Sequence, residues 1–112
     1  MTKVECILRP ERFEDVNAAL EEIGVVGITV SEARGRGRQR GYVDKYRGME
    51  YQVRLLPKMR LMCVVPDDQV EAVIDAILRN ARTGEVGDGK IFLSRVDEVV
   101  RIRTGERGEG AL

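Results

Sequence analysis

Histidine is absent from this chain of 112 residues, and tryptophan with it. Without imidazole there is no side chain whose ordinary pKa sits near neutrality and no ligand of the commonest transition-metal type, so acid–base catalysis and a zinc site are poor expectations. A net charge is lacking as well. The 19 Lys plus Arg cancel the 19 Asp plus Glu, which excludes a global positive field able to draw in a long polyanion. Cysteine is limited to Cys6 and Cys63, each within an apolar run and without CxxC spacing. That reads as two buried free thiols in a reducing, cytoplasmic setting. No secretory leader and no membrane span is expected.

A chain of this length supplies one hydrophobic core and is too short for two ordinary domains, so a single domain over 1–112 is expected. From Val4 to Leu8 the residues are apolar apart from Glu5, and Arg9-Pro10 ends the run; this reads as a strand. Phe13, Val16, Ala19, Leu20 and Ile23 then recur at helical spacing, with Gly24 as terminator. The β-branched stretch from Gly27 to Ser31 reads as a second strand. The pattern repeats with a strand from Met59 to Val65, stopped by Pro66, and a helix whose apolar face is Val70, Val73, Ile74, Ile77 and Leu78. Asp67 or Asp68 is placed to cap that helix. Lys90 to Ser94 supplies a fourth strand, and Val99 to Ile102 a short edge strand.

Two strand–helix–strand units in tandem predict an α+β fold, the β-α-β-β-α-β arrangement of four antiparallel strands backed by two helices. Only one face of such a sheet is covered. With Ile7, Leu61, Cys63, Val65 and Ile91 as candidates for the bare face, self-association is the expected remedy. The interval from Gly35 to Lys58 exceeds a hairpin connection and holds few large apolar residues before Tyr51, so it reads as a protruding arm.

Charge is unbalanced locally. Between Arg34 and Arg47 the cations Arg34, Arg36, Arg38, Arg40, Lys45 and Arg47 face Asp44 alone, and Gly35, Gly37 and Gly41 are interspersed among them. A second segment, Thr83-Gly-Glu-Val-Gly-Asp-Gly-Lys90, again joins glycines to a cation. Glycine lets backbone N–H groups approach a phosphate while Arg and Lys supply opposite charge, so the two segments read as a cradle for an anion, most simply a nucleotide. Neither has the GxxxxGK[ST] or GxGxxG form, and either could be a solvated loop or a plain turn. Asp88 repels phosphate and is expected to fix the turn through its own backbone hydrogen bonds, leaving Gly87 and Gly89 for the anion. Arg101 and Arg103, two apart, point the same way if extended. Lys58 follows rigid Pro57 and suits a small carboxylate. Tyr46 and Tyr51 lie in the arm, each able to anchor a partner or pack on the loop base.

Taken together these segments resemble the P-II nitrogen-regulatory signal-transduction proteins. The likeness runs from Lys3-Val-Glu5 through Tyr46-Arg-Gly-Met-Glu-Tyr51 to Ala81-Arg-Thr-Gly-Glu-Val-Gly-Asp-Gly-Lys-Ile-Phe92 and Arg101-Ile-Arg-Thr-Gly-Glu106. The resemblance implies a homotrimer of ferredoxin-like subunits with ATP or ADP in clefts between them, a T-loop at 36–56 that meets target proteins, and a carboxy-terminal segment at 102–112. It implies nucleotide contacts from Gly35, Gly37, Arg38, Gln39 and the Gly87, Asp88, Gly89, Lys90 turn, closed by Arg101 and Arg103 of the neighbour, with Thr29 and Val64 on the adenine side. Gln39 is implied to coordinate Mg2+ beside ATP, and 2-oxoglutarate to meet Gln39, Arg40, Gly41 and Lys58.

Tyr51 falls where some relatives are modified by a nucleotidyltransferase, and Arg47 where a loop tip enters a transporter. Implied targets are an ammonium transporter, a nitrogen-metabolism enzyme or a kinase, reached by a cytoplasmic protein recruited peripherally to the membrane. The chain departs from the family pattern at Met49 for a modifiable Ser, Met62 for a ribose-contacting Glu, Arg36 for Phe and Arg54 for Asp. Two other classes remain open on the residues alone. An RNA-binding module would use the Arg34 to Gly41 run, although the central strands lack the stacking aromatics such sheets expose, so no nucleic acid is expected. A small ATP-dependent enzyme would need a base and acceptor that neither Glu85 nor Asp88 evidently supplies, so no catalytic residue is assigned.

Overall fold

The first strand shows the period of two that a sheet with one covered face demands: Thr2, Val4, Cys6 and Leu8 are buried, while Lys3, Glu5 and Ile7 are not. This is β1 (Thr2–Leu8). The structure is a computed structural model and describes residues 1–38, 42–46, 48–53 and 55–112, with backbone alone for 42–46 and 49–53. After β1, Pro10 opens a single 3-10 turn that leads into α1 (Phe13–Glu22), which buries Val16 and Leu20 one turn apart. Gly24, at φ 91°, ends it by donating its N–H to the Glu21 carbonyl at 3.0 Å. Ile23 lies beyond the last full turn and is exposed, not on the buried face.

Strand β2 (Thr29–Gly35) starts later than expected and reaches four residues further, because Arg34 and Gly35 find partners in Pro57 and Leu56. The arm that follows contains β3 (Tyr42–Tyr46) and β4 (Met49–Val53), an antiparallel hairpin that among the described residues forms a two-stranded sheet of its own. Strand β5 (Leu56–Val65) then returns to the sheet, three residues earlier than predicted, and Pro66 stops it. A second 3-10 turn leads into α2 (Val70–Ala81), which buries Val73, Ala76, Ile77 and Ala81. The last strand is β6 (Gly89–Arg95). Val99 to Ile102 forms no edge strand; the segment makes only an isolated bridge, Val100 to Arg107.

The main sheet has the order β2-β5-β1-β6 with every neighbour antiparallel. With β3 and β4 as an insertion, this is the expected β-α-β-β-α-β ferredoxin-like fold, and both helices pack on one sheet face over a single core cluster.

One expectation about that sheet is overturned. Register sets Val4 opposite Cys63, and Cys6 opposite both Leu61 and Ile91, so Leu61, Cys63, Val65 and Ile91 belong to the helix-covered face. Residues directly across an antiparallel pair share a face. Only Ile7 of the five falls on the bare side, beside Lys3, Glu5, Met62 and Phe92. There Arg60 donates to Glu5 at 2.7 Å. The bare face is therefore mixed rather than uniformly apolar, and an oily patch no longer supplies a reason to self-associate.

Cys6 and Cys63 are free and buried in the core, as expected. Burial first, and then the neighbouring Cys63, push the Cys6 thiol up to about 11. Asp67 does not cap α2. Its carboxylate accepts from the Thr2 hydroxyl at 2.7 Å, sits 3.2 Å from the Met1 amino group and accepts from Arg95 at 2.7 Å. The Arg95 bond, then Thr2, then the amino group hold this carboxyl below the ordinary range.

Truncation of Leu61 to Ala is expected to cost about 2–5 kcal/mol in urea unfolding, and Thr29→Ala on the bare face to stay within about 0.5 kcal/mol. Because Asp67 is depressed in the folded state, its stabilisation is present above the ordinary aspartate pKa and is lost as pH falls below it. Asp67→Asn should flatten the acid side of the stability curve measured by the same unfolding series.

Candidate anion-binding site

The connection from α2 to β6 is built around one carboxylate. Asp88 Oδ2 accepts the backbone N–H groups of Thr83 and Gly84, each at 2.9 Å, and Oδ1 accepts the Thr83 hydroxyl and Arg9 Nε, the latter at 3.0 Å. Thr83 Oγ1 accepts in turn from the Glu85 N–H at 3.1 Å. The Thr83 hydroxyl is the largest cause, ahead of the two backbone donors and Arg9, holding the Asp88 carboxyl far below its usual value. Asp88 thus fixes the turn as its side chain predicts.

Glycine is required here by geometry. Gly87 and Gly89 have φ of 105° and 100°, and a Cβ on Gly89 would lie 1.7 Å from the Ile7 carbonyl oxygen. Only a residue without one lets β6 begin against β1 at this point. Two cations then hold successive carbonyls of the turn. Arg9 Nη2 donates to Val86 at 3.0 Å and Lys58 Nζ to Gly87 at 2.8 Å. Burial first, then the Arg9 charge, lower the Lys58 pKa.

The turn and the end of β2 line the same cavity of about 610 Å³. Gly35, Arg36, Gly37 and Arg38 line it together with Glu85 to Lys90, and Ile7, Lys58 and Phe92 complete the lining. The volume is that of an ordinary small-molecule pocket. Arg36, Arg38, Lys58 and Lys90 outnumber Glu85 and Asp88, and the Asp88 charge is already met by Arg9 and the turn's own donors. The balance around the cavity is cationic, which suits an anion.

Of the residues singled out in the sequence, the structure gathers Gly35, Gly37, Arg38, Lys58, Gly87, Asp88, Gly89 and Lys90 around this one space. Thr29 and Val64 are not among its lining; Thr29 pairs with Met62 at the opposite end of β2 from Gly35. Arg101 and Arg103 are not there either, and they do not run side by side in an extended segment. The chain turns after Arg101: the Gly105 N–H donates to the Arg101 carbonyl at 2.7 Å, with Gly105 at φ 72°. The Arg101 guanidinium holds Glu106 at 3.0 Å and the Gly110 and Leu112 carbonyls at 3.2 Å.

Gln39, Arg40, Gly41, Arg47 and Arg54 lie outside the described residues, as do the side chains of Tyr46, Met49 and Tyr51. Among the described residues no group of three or more Cys, Asp or Glu side chains could hold a metal, and no helix is long and apolar enough to cross a membrane. Arg9 was not singled out in the sequence. A lone arginine before Pro10 carries no local signal; only the register that sets Leu8 opposite Gly89 brings it to the turn.

Fold and cavity together define a small ferredoxin-like domain with a cationic pocket at the foot of an inserted hairpin. Residues 1–106 match the family model described as Nitrogen regulatory protein P-II. The chain is 54% identical over 112 residues to the Nitrogen regulatory protein P-II of Nostoc punctiforme, covering all of both chains. It is 53% identical to Nitrogen regulatory protein P-II 2 of Methanothermobacter thermautotrophicus over all of this chain and 97% of that one. It is also 49% identical to Nitrogen regulatory protein P-II 1 of Escherichia coli K12, again end to end. The chain belongs to the P-II family of nitrogen regulatory proteins.

Gly89→Ala places a Cβ against the Ile7 carbonyl at a positive φ. A loss of more than about 2 kcal/mol in denaturant unfolding is expected, where a surface Gly→Ala would cost little.

Proposed function

We propose that this protein is a nitrogen-, carbon- and energy-status signal transducer that binds ATP or ADP and 2-oxoglutarate and regulates target proteins through its arm. The observation that carries this reading is the meeting of the β2 end with the glycine turn around one cationic cavity. Arg38 and Lys90 pair with phosphate oxygens, while Gly35, Gly37, Gly87 and Gly89 allow the backbone close approach. The fit to a polyphosphate is supported by Asp88, whose charge is committed to Thr83, Gly84 and Arg9 rather than left bare in the pocket.

Lys58, at the same cavity, takes a carboxylate of 2-oxoglutarate, and the likeness to the P-II family assigns Gln39, Arg40 and Gly41 to the same effector. Mg2+ beside Gln39 would screen the repulsion between the ATP phosphates and that carboxylate. ADP, one phosphate shorter, supports the effector poorly. In one copy Thr29, Val64, Arg101 and Arg103 lie off the cavity lining. The proposed assembly is a homotrimer in which a neighbour's residues complete each nucleotide site.

Which ligands are bound biases the arm's population of conformations, and each target selects among them. Targets of this kind are an ammonium transporter met by Arg47, a nitrogen-metabolism enzyme or a kinase. A nucleotidyltransferase acting on Tyr51 would add bulk and negative charge to the partner-facing arm. Membership in a family of regulatory proteins supports a regulator rather than a catalyst; the proposed setting is the cytoplasm, with peripheral recruitment to a membrane. Strands β1 and β5 carry no aromatic residue, which counts against an RNA-binding sheet.

Calorimetric titration of 2-oxoglutarate with Mg-ATP present should show saturable binding. The heat should fall away when ADP replaces ATP and in Lys58→Ala, by about tenfold or more in affinity for a charge-assisted contact. Equal heats in all three would refute the proposed carboxylate site.

A further inference from the structure

We propose that Arg9 is a positioning residue for the anion site: its guanidinium bridges the Asp88 carboxylate and the Val86 carbonyl, holding the glycine turn in its anion-accepting form. This deepens the reading of the cavity given above and rests on it. Arg9 lies at the end of β1, is largely buried, and reaches both acceptors at 3.0 Å. Its planar fork suits that task, because two donors in one fixed plane set the separation of two points on the turn. A segment with positive φ at Gly84, Gly87 and Gly89 has many conformations to lose, so an anchor that restricts it beforehand lowers the cost of binding.

The charge logic points the same way. Asp88 lines the cavity, and an unmatched carboxylate there would repel phosphate. Arg9 joins the Thr83 and Gly84 donors in spending that charge inside the turn. Lys58 also holds the turn, through the Gly87 carbonyl, but it faces the cavity and is the residue assigned to a ligand carboxylate. Arg9 contributes the hold that does not compete with a ligand for the same donor.

The test compares Arg9→Met with Arg12→Met, which removes an equal charge one 3-10 turn away without touching the turn. Amide hydrogen exchange at Thr83 and Gly84 is read by NMR in the ligand-free protein, and affinity for ADP and for inorganic tripolyphosphate by calorimetry. Arg9→Met should exchange about tenfold faster at both amides and bind both anions about tenfold more weakly. Arg12→Met should stay within about twofold on each. Arg9→Lys, which keeps the charge but not the fork, should fall between wild type and Arg9→Met and serves if the latter fails to fold. Unchanged exchange in Arg9→Met, or a loss of affinity no greater than in Arg12→Met, overturns the role of Arg9 alone. A wild-type protein that binds neither anion overturns the reading of the cavity, and this role with it.

Discussion

Strand β1 is hydrogen-bonded on both sides, to β5 and to β6, and that double pairing governs the rest of the molecule. It sets Leu8 opposite Met59 on one side and Gly89 on the other. The β2–β5 pairing brings Ala33 opposite Lys58 and Gly35 opposite Leu56 at the same end of the sheet. Residues near 35, 58 and 89, remote along the chain, therefore converge because antiparallel strands bring their ends together. Gly89 passes so close to the Ile7 carbonyl that a Cβ there would lie 1.7 Å from its oxygen, and this close approach fixes where the turn emerges.

Around that point the charges divide between the turn and the cavity. Acceptors of the turn, the Asp88 carboxylate and the Val86 and Gly87 carbonyls, are met by Arg9 and Lys58. Cations from the β2 end and from Lys90 remain to face the cavity. A chain of zero formal net charge thereby carries a cationic pocket, which is a local arrangement rather than a property of composition. The same economy appears at the other end of the sheet, where Asp67 joins Met1, Thr2 and Arg95 and ties the 3-10 turn before α2 to β1 and β6.

Much of this was legible in the sequence. Helix α1 announced itself through the spacing of Val16 and Leu20, its end through Gly24, and the fold class through the repeated strand–helix–strand order. The phase of β5 was not legible, because Leu61 to Val65 is apolar at every position and alternation has nothing to mark. Glu5 interrupts the apolar run of β1 and marks its exposed face, but transferring that phase to β5 requires the register. The strand character of Arg34 and Gly35 was hidden for a related reason: their composition reads as loop, and only the partners Pro57 and Leu56 make them strand. Asp67 looked like a cap because capping is local, whereas the partners that claim it lie at residues 1, 2 and 95. For the site, the glycine segments were visible as motifs, while Arg9 became visible only through the fold. The spacing of Arg101 and Arg103 aligns them only in an extended segment, and the turn closed by the Gly105 N–H on the Arg101 carbonyl removes that condition.

Membership in the P-II family and the geometry of the cavity bear on one claim, that the β2 end and the 83–90 turn of the same subunit grip a single polyphosphate. Crystals grown with ATP and Mg2+ test it most directly. The account predicts phosphate density between Gly35–Arg38 and Gly87–Lys90, with Arg38 and Lys90 in contact. Nucleotide density elsewhere on the subunit, with this cavity holding only solvent, would contradict it.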